Sequence, residues 1–263
     1  MSNIGRAFKS KKAFIGFVTG GDPAIEKSEE FILEMIRAGA DLVEIGVPFS
    51  DPIAEGPVIQ AANLRALASG TTLEKLFRLV ERLRKKTQVP LVFLSYLNPV
   101  FRYGPNGHGY DPFFARAAAA GLDGIIIPDL PFEEQGELRP AAASHGIDLI
   151  SLIAPTSEAR IRDIARAATG FVYLVSSLGV TGVRSEITTD LASMVTAVQS
   201  AADIPIAVGF GIHSPAQAAD IARLADGVIV GSAIVGIIAE HGEAAGPPIY
   251  RYVREMTEAI QGR

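Results

Sequence analysis

Two carboxylates in the first quarter of the chain have the residue type and spacing that proton-transfer chemistry requires. Glu44 lies inside an apolar run that is typical of a buried strand, and Glu55 lies in the Pro- and Gly-rich loop that follows. A carboxylate without a partner is costly to bury, so packing alone rarely explains one. A strand-borne acid that faces a loop-borne acid can exchange protons with a substrate held between them.

Other interpretations of these acids stay open. Glu44 could instead be paired structurally with an arginine. Glu55, which precedes Gly56 and Pro57, could be a solvated loop acid or a mobile catalytic group. Asp51 stands before a proline, where an Asx turn or an interface role is at least as good an interpretation as catalysis.

Glycines that follow three later strands indicate a phosphate site. Gly211 follows the seventh predicted strand, Gly231 and Ser232 follow the eighth, and 179–182 follows the sixth. These are the places where barrels bind phosphate through backbone N–H groups and a helix N-terminus. Glycines also turn tight corners between strands and helices, but the set of three loops favours a phosphorylated ligand.

Missing residue types narrow the chemistry further. All seven lysines lie at or before Lys86, so no lysine falls at the end of strands three to eight to form a Schiff base. The four histidines (His108, His145, His213 and His241) are isolated and lack the spacing of zinc ligands. Acid–base chemistry by carboxylates, without a metal, is what remains.

Aromatic and aliphatic side chains at strand ends suggest the shape of the ligand. Phe17, Leu94, Tyr96, Tyr173 and Phe210 all fall at or near the carboxyl ends of predicted strands. Most such residues belong to a core. If they converge on one mouth, they favour a flat aromatic substrate.

A recurring sequence pattern predicts the strands and helices that position these residues. A helix ends in Ala or Gly, an Asp often follows, and a short β-branched run then ends in Gly, Pro or Ser. Each copy joins a helix to a strand that is buried on both faces, as in parallel sheets. The copies lie at 38–46, 120–128, 145–153, 201–209 and 224–232, and strands at 14–18, 91–95 and 171–176 bring the total to eight.

Helical patterns fill the gaps between the strands and complete eight β-then-α units. They are predicted at 25–38, 57–68, 72–86, 112–120, 133–145, 157–168, 190–200, 215–224 and 231–240, with a terminal helix at 248–261 and another before the first strand. The sequence therefore predicts an α/β fold, a single (β/α)8 barrel domain over 1–263 with extra N- and C-terminal helices. A doubly wound open sheet is the alternative. The longest loops after strands, 47–56, 97–111 and 176–189, are candidates for lids and partner contacts.

Bulk composition excludes several classes of protein. The formal charge is −5 and the pI is near 5.5, which argues against a nucleic-acid surface. The absence of cysteine excludes disulfides and thiolate chemistry and suits a reducing cytoplasm. Lysines 9, 11 and 12 before 13–18 imitate a signal peptide, but the apolar run is too short and no cleavage site follows. No run has the length of a membrane span, so we expect a cytoplasmic protein.

The sequence closely resembles the tryptophan synthase alpha subunit family. The matching segments run in order along the whole chain: 17–23, 43–52, 56–60, 124–131, 173–182, 209–212 and 231–235. The resemblance implies a (β/α)8 barrel and aldolase-type cleavage of indole-3-glycerol phosphate to indole and glyceraldehyde 3-phosphate. It also implies that Glu44 is the proton shuttle, which takes the proton of the side-chain hydroxyl and helps to protonate indole C3.

The resemblance assigns further residues to the substrate. A second carboxylate stabilises the cation that develops at the ring nitrogen; in the family it is usually an aspartate, and here it is Glu55. The extra methylene leaves three outcomes open: normal activity after loop adjustment, slower turnover or an altered substrate. The resemblance implies that Thr181 and Tyr173 contact or orient the catalytic region, that Ile59 contacts the substrate, and that the phosphate is bound by Gly182, Gly211, Gly231 and Ser232.

The resemblance also implies a partner. The family works in an alpha2beta2 complex with a pyridoxal-phosphate beta subunit, which consumes indole delivered through a tunnel, so no cofactor is expected in this chain. The predicted rim comprises Pro48, Asp51, Pro52, Asn98, Phe101 and Pro131. Two alternatives remain: a diverged paralogue that acts on a related phosphorylated substrate, and a catalytically weak subunit that mainly activates the beta partner.

Overall fold

Eight parallel strands close into a barrel, with neighbours paired in chain order and β8 hydrogen-bonded to β1. The computed structural model describes residues 3–9, 11–105, 107, 109–175, 191–209 and 211–262. The strands are β1 (Ala13–Thr19), β2 (Leu42–Gly46), β3 (Leu91–Leu94), β4 (Gly124–Ile126), β5 (Asp148–Ile153), β6 (Val172–Val175), β7 (Ile206–Gly209) and β8 (Gly227–Val230). The predicted (β/α)8 barrel is thus confirmed, and the closed sheet excludes the open doubly wound alternative.

Helices between the strands cover the outside of the barrel. They are α1 (Ile25–Ala38), α2 (Pro57–Ala68), α3 (Leu73–Arg84), α4 (Leu97–Phe101), α5 (Asp111–Ala120), α6 (Leu138–Ser144), α7 (Glu158–Ala167), α8 (Leu191–Gln199), α9 (Pro215–Leu224), α10 (Ser232–His241) and α11 (Gly246–Ile260). Short 3-10 helices lie at Ile4–Phe8, Phe132–Glu134 and Gly242–Ala244. None of the described helices is long and apolar enough to span a membrane.

Two predicted segments differ from the structure. The helix predicted at 133–145 is divided into a 3-10 turn and α6, which begins only at Leu138. Gly136 favours the break, and Pro140 fits best in the first turn of a helix, where its missing N–H costs nothing. The segment 97–111, predicted as a loop, contains the short helix α4, with Pro99 again in the first turn.

The aspartates of the recurring sequence pattern connect neighbouring strands. The carboxylate of Asp41 accepts the backbone N–H of Phe14 at 3.0 Å, and that of Asp123 accepts the N–H of Leu91 at 2.8 Å. Asp226 accepts the N–H of Ile206 at 3.0 Å in the same way. Each aspartate stands just before one strand and accepts an N–H near the start of the strand that comes before it in the sequence. The recurring pattern therefore helps to set the order of the strands as well as the ends of the helices.

The amino-terminal residues close the floor of the barrel. Ile4 is fully buried among inward-facing strand residues, and the ring of Phe8 lies 5.6 Å from that of Phe171. Gly124 leaves room for this segment, since a Cβ there would lie 2.9 Å from Cδ1 of Ile4. The described floor of the barrel is therefore apolar and filled.

An ion pair with a buried carboxylate and a partly exposed guanidinium fixes α2 against the loop after β1. Arg65 donates two hydrogen bonds to the fully buried carboxylate of Asp22, at 2.8 and 2.7 Å. Ser69, just after α2, donates to the carbonyl oxygen of Gly21, and Ser28 of α1 accepts the Gly21 N–H at 2.7 Å. The orientation of α2, which carries residues of the barrel mouth, therefore depends on these polar contacts.

We expect Asp22→Asn to lower the free energy of unfolding by about 2 to 3 kcal/mol, because the substitution leaves the Arg65 guanidinium without its counter-charge. Urea denaturation of both proteins measures the difference. The control is Asp220→Asn, which removes an exposed pair with Arg223 and should change the stability by less than about 0.5 kcal/mol. Equal effects of the two substitutions would show that the buried pair does not hold α2.

Candidate active site

The mouth of the barrel contains a cavity of about 840 Å³, which includes space open to solvent. It lies at the carboxyl ends of the strands, where barrels place their active sites. Its described lining consists of Phe17, Glu44, Ala54, Glu55, Ile59, Leu94, Ile126, Pro128, Leu152, Tyr173, Gly211, Ile212, His213, Ile229, Gly231, Ser232 and Ala233. The structure thus brings both predicted acids and the three described residues of the predicted phosphate site, Gly211, Gly231 and Ser232, into one cavity.

Glu44 points into the barrel from the middle of β2. Glu44 lies beside Phe17 of β1 and Val92 of β3 in the strand register, and it is 1% exposed to solvent. Its Oε1 atom has no hydrogen-bond partner among the described residues. Burial raises the pKa of this carboxyl group from 4.5 to about 8. The arginine pairing that the sequence left open is absent from the described contacts, and a carboxyl group that exchanges its proton near neutral pH faces the cavity.

Glu55 reaches the same cavity from the loop that precedes α2. Asn63, one helical turn and a half along α2, donates to its Oε2 atom at 2.5 Å, and Gln60 donates to its backbone carbonyl at 2.7 Å. Burial raises the pKa of Glu55 to about 7, against a smaller lowering by the Asn63 hydrogen bond. Glu55 is 7% exposed, so of its two predicted interpretations the solvated loop acid does not apply.

Apolar side chains form the wall between the two acids. The ring of Phe17 packs where Gly46 and Gly231 lack side chains; a Cβ at Gly46 would lie 2.6 Å from its Cζ atom. Phe17 belongs to one apolar cluster with Ile59 of α2, and Leu94 packs against the same cluster. The wall is apolar, as the recognition of an aromatic ring requires.

The two predicted tyrosines occupy different places. Tyr173 lines the cavity from β6, and burial together with the charge of Glu44 raises its pKa well above the ordinary value. Tyr96 lies behind the cavity lining, where its hydroxyl accepts the backbone N–H of Ala54 at 2.9 Å and its ring packs on Phe49 at 5.2 Å. Tyr96 thus supports the loop that carries Glu55, and its predicted contact with a substrate stays a prediction.

The glycine end of the cavity has the features of an anion site. Gly231 is the N-cap of α10, and Ser232 is its first residue, so the N–H groups of the first turn have no helical acceptor. Gly211 adopts a positive φ of 79°, which favours glycine at this corner after β7. Thr181, Gly182 and Phe210, which complete the predicted set, lie outside the described residues.

The predicted partner rim is mostly on the surface. Asp51, Asn98 and Pro131 are exposed, Pro52 is half-buried and Phe101 is 37% exposed. Pro48 differs from the others because it is buried within this chain. Ile53, in the loop that carries Asp51, is 74% exposed and was not predicted, although an isoleucine in a polar loop is a signal that the sequence contains.

Several site residues were missed from the sequence. Ile126, Leu152 and Ile229 are inward-facing strand positions that the alternation of side chains along a strand could have identified. Asn63 holds Glu55 and His213 lines the glycine end, and no sequence pattern marks either residue. No group of three or more His, Asp or Glu that could hold a metal occurs among the described residues.

The family model and the relatives that match this sequence all point to the same protein family. The family model for the tryptophan synthase alpha chain matches residues 6–260. A tryptophan synthase alpha chain of Lactiplantibacillus plantarum is 51% identical over 100% of this chain and 98% of its own length. That of Citrifermentans bemidjiense is 52% identical over 89% of this chain and 88% of its own.

Solved structures give the same result. A chain of Mycobacterium tuberculosis tryptophan synthase superposes with a TM-score of 0.89 at 36% identity, covering 99% of this chain and 98% of that one. A chain from the tryptophan synthase α2β2 complex of Pyrococcus furiosus gives 0.86 at 37% identity, covering 94% of this chain and 98% of that one.

The raised pKa of Glu44 has a consequence for stability. The folded protein keeps a proton on Glu44 between about pH 4.5 and pH 8, whereas the unfolded chain releases it, so this group makes the free energy of unfolding fall as the pH rises through that range. Glu44→Gln removes this dependence. We expect the variant to gain stability over the wild type between about pH 5 and pH 8, on the order of 3 kcal/mol.

Urea denaturation of the wild type and Glu44→Gln at several pH values measures this gain. Glu240→Gln, at a side chain that is 76% exposed, is the matched control and should change the free energy of unfolding by less than about 0.5 kcal/mol. A constant difference between Glu44→Gln and the wild type across the pH range would contradict the expectation.

Proposed function

The chain belongs to the tryptophan synthase alpha chain family, and we propose that Glu44 and Glu55 are the residues that carry its reaction. The activity is an aldolase-type carbon–carbon lyase reaction, in which indole-3-glycerol phosphate is cleaved to indole and glyceraldehyde 3-phosphate. The observation that carries the assignment is the buried carboxyl group of Glu44, with an unpaired oxygen among the described residues, in the wall of the barrel cavity.

Glu44 moves a proton within the substrate. The protonated carboxyl group of Glu44 gives its proton to indole C3 as the electron pair of the ring nitrogen moves into the ring, which leaves the nitrogen cationic. The carboxylate then accepts the proton of the side-chain hydroxyl next to the ring, the bond between that carbon and C3 breaks, and the hydroxyl carbon becomes the aldehyde. The bond electrons return to the ring and restore the neutral nitrogen. Because the pKa of Glu44 is about 8, both protonation states are accessible near neutral pH, as a group that first donates and then accepts a proton requires.

Glu55 acts at the ring nitrogen. The nitrogen becomes electron-poor as its electron pair makes C3 a leaving group, and a carboxylate near the N–H stabilises that charge. The family usually has an aspartate here, and Asn63 supports the longer side chain of this chain through its hydrogen bond. This contact favours the interpretation that the glutamate is accommodated and serves the same reaction.

The remaining contacts divide between the ring and the phosphate. Phe17, Ile59, Leu94 and Tyr173 provide the apolar wall for the indole ring. Gly231 and Ser232 bind the phosphate through backbone N–H groups at the start of α10, together with Gly211 of the loop after β7 and Gly182. Thr181 and Phe210 complete the substrate site, and Tyr96 supports it from behind.

The partner is a tryptophan synthase beta subunit in an α2β2 complex, as in the Pyrococcus furiosus protein. The proposed contacts are the exposed side chains of Asp51, Asn98, Phe101 and Pro131, with Pro52, which lie on the segments that follow β2, β3 and β4. Pro48 belongs to the same loop but supports it from inside. Pyridoxal phosphate resides in the beta subunit, and this chain works without a cofactor of its own in the cytoplasm.

We expect Glu44→Gln to lower kcat for indole release about a thousandfold or more, because the amide cannot accept the hydroxyl proton. Affinity for glycerol 3-phosphate, which occupies only the phosphate end, should change by less than about twofold. Indole release, measured with and without a beta subunit, tests the first statement, and isothermal titration calorimetry tests the second. Retained turnover in this variant would refute the role of Glu44.

We expect Glu55→Asp to lower kcat about tenfold, because the shorter side chain moves the carboxylate away from both Asn63 and the ring nitrogen. Steady-state kinetics with indole-3-glycerol phosphate measure the change. A large gain in activity would instead favour the alternative of a paralogue that is specialised for a related phosphorylated substrate. Activation of a beta subunit without any indole release by the wild type would favour the catalytically weak alternative.

A further inference from the structure

The described lining of the cavity offers little positive charge to a phosphorylated ligand. A phosphate monoester brings up to about two negative charges near neutral pH. Glu44 and Glu55 line the cavity with carboxyl groups that are neutral when protonated and negative when ionised, and no lysine or arginine is present among the described lining residues. His213 is the one described lining side chain that can carry a positive charge.

His213 lies at the glycine end of the cavity. It follows Gly211 by two residues on the loop after β7 and shares the cavity wall with Gly231 and Ser232. Its position in the chain and its Nδ1 contact with the Gly211 carbonyl thus place His213 next to a proposed phosphate-binding glycine. A histidine here adds a side-chain donor to a site that otherwise offers backbone N–H groups.

Three hydrogen bonds hold His213 in place. Its Nδ1 atom lies 2.9 Å from the carbonyl oxygen of Gly211, and because a carbonyl only accepts, Nδ1 carries a proton. The backbone N–H donates to Oε1 of Gln217 at 3.1 Å, and the carbonyl oxygen accepts from the hydroxyl of Tyr252 at 3.0 Å. The proton on Nδ1 leaves Nε2 as the ring nitrogen that changes protonation state.

The groups around His213 are compatible with a protonated imidazole. Tyr252 of α11 is neutral near pH 7, because burial raises its pKa, and Gln217 and Ser214 of α9 are uncharged. Glu44, Glu55 and Tyr173 line the same cavity. None of the described hydrogen bonds of His213 joins it to a lysine or arginine.

We propose that His213 is a further phosphate-binding residue of this site, whose protonated Nε2 atom donates a hydrogen bond to the phosphate group of the substrate. The proposal rests on the proposed function, since that function supplies the phosphorylated ligand. Binding of the ligand then couples to proton uptake by the imidazole, and the added positive charge complements the negative charge of the phosphate.

Two substitutions separate this role from a purely structural one. His213→Asn keeps an amide N–H where Nδ1 donates to the Gly211 carbonyl, but it has nothing in the place of Nε2. His213→Gln places a neutral amide near the position of Nε2. The readout is the dissociation constant for glycerol 3-phosphate, measured by isothermal titration calorimetry of the full chain between about pH 6 and pH 8.5, with KM for indole-3-glycerol phosphate as a second measure.

We expect the wild type to bind glycerol 3-phosphate about five- to tenfold more tightly than His213→Asn at about pH 6, and less than about twofold more tightly at about pH 8.5. His213→Gln should lose the same pH-dependent part, because its amide does not titrate. Calorimetry in buffers of different ionisation enthalpy should show proton uptake on binding that is larger for the wild type than for either variant. Ionisation of the phosphate itself is common to all three proteins and cancels.

Equal affinities at all pH values, or a loss in His213→Asn that does not vary with pH, would overturn the role of His213. Indole release by the wild type, and its loss in Glu44→Gln, would remain in that case, so the proposed function would stand. Failure of the wild type to bind glycerol 3-phosphate at any pH would count against the phosphate site as a whole, and with it against the proposed function.

Discussion

The exclusion of water from one carboxyl group is the constraint on which the rest of the structure depends. Burial raises the pKa of Glu44 to about 8, and this is destabilising whenever the group is ionised. The surrounding barrel must offset that cost, and it does so with continuous apolar packing between the strands and the helices. A looser barrel would admit water and return the group to an ordinary acid. The same packing therefore provides both the stability of the fold and the proton affinity of its central side chain.

Helix α2 shows how the second acid is placed by contacts that are distant in sequence. Glu55 lies just before α2, and Asn63 of that helix holds its carboxylate. The helix is itself fixed by the pair between Arg65 and Asp22, a residue of the loop after β1. Two contacts made by the same helix, one through Arg65 and one through Asn63, thus connect the first βα loop to the mouth of the cavity. These contacts explain why a loop that contacts no proposed substrate atom still matters for the geometry of the site.

The fold and part of the site could be predicted because their signals are local. The eight strands follow from a sequence pattern that repeats along the chain, and the inward direction of Glu44 follows from the alternation of side chains along β2. Asn63 and His213 could not be predicted, because their roles depend on which helices the barrel brings together, and neither residue has a motif of its own. The break before α6 was missed because Gly136 and Pro140 were outweighed by the helical pattern around them. Pro48 and Tyr96 were placed in the right loop region, but which side of a loop is buried is a tertiary property.

Ile4 and Phe8 fill the described base of the barrel beneath the strands. Because the described residues at this base leave no exit for a small neutral molecule, the substrate and both products pass through the cavity mouth at the opposite end. A second subunit seated over that mouth would then control entry and exit, and a newly released ring would meet that subunit before it met bulk solvent. The far end of the barrel, remote from any reacting atom, in this way gives direction to what leaves it.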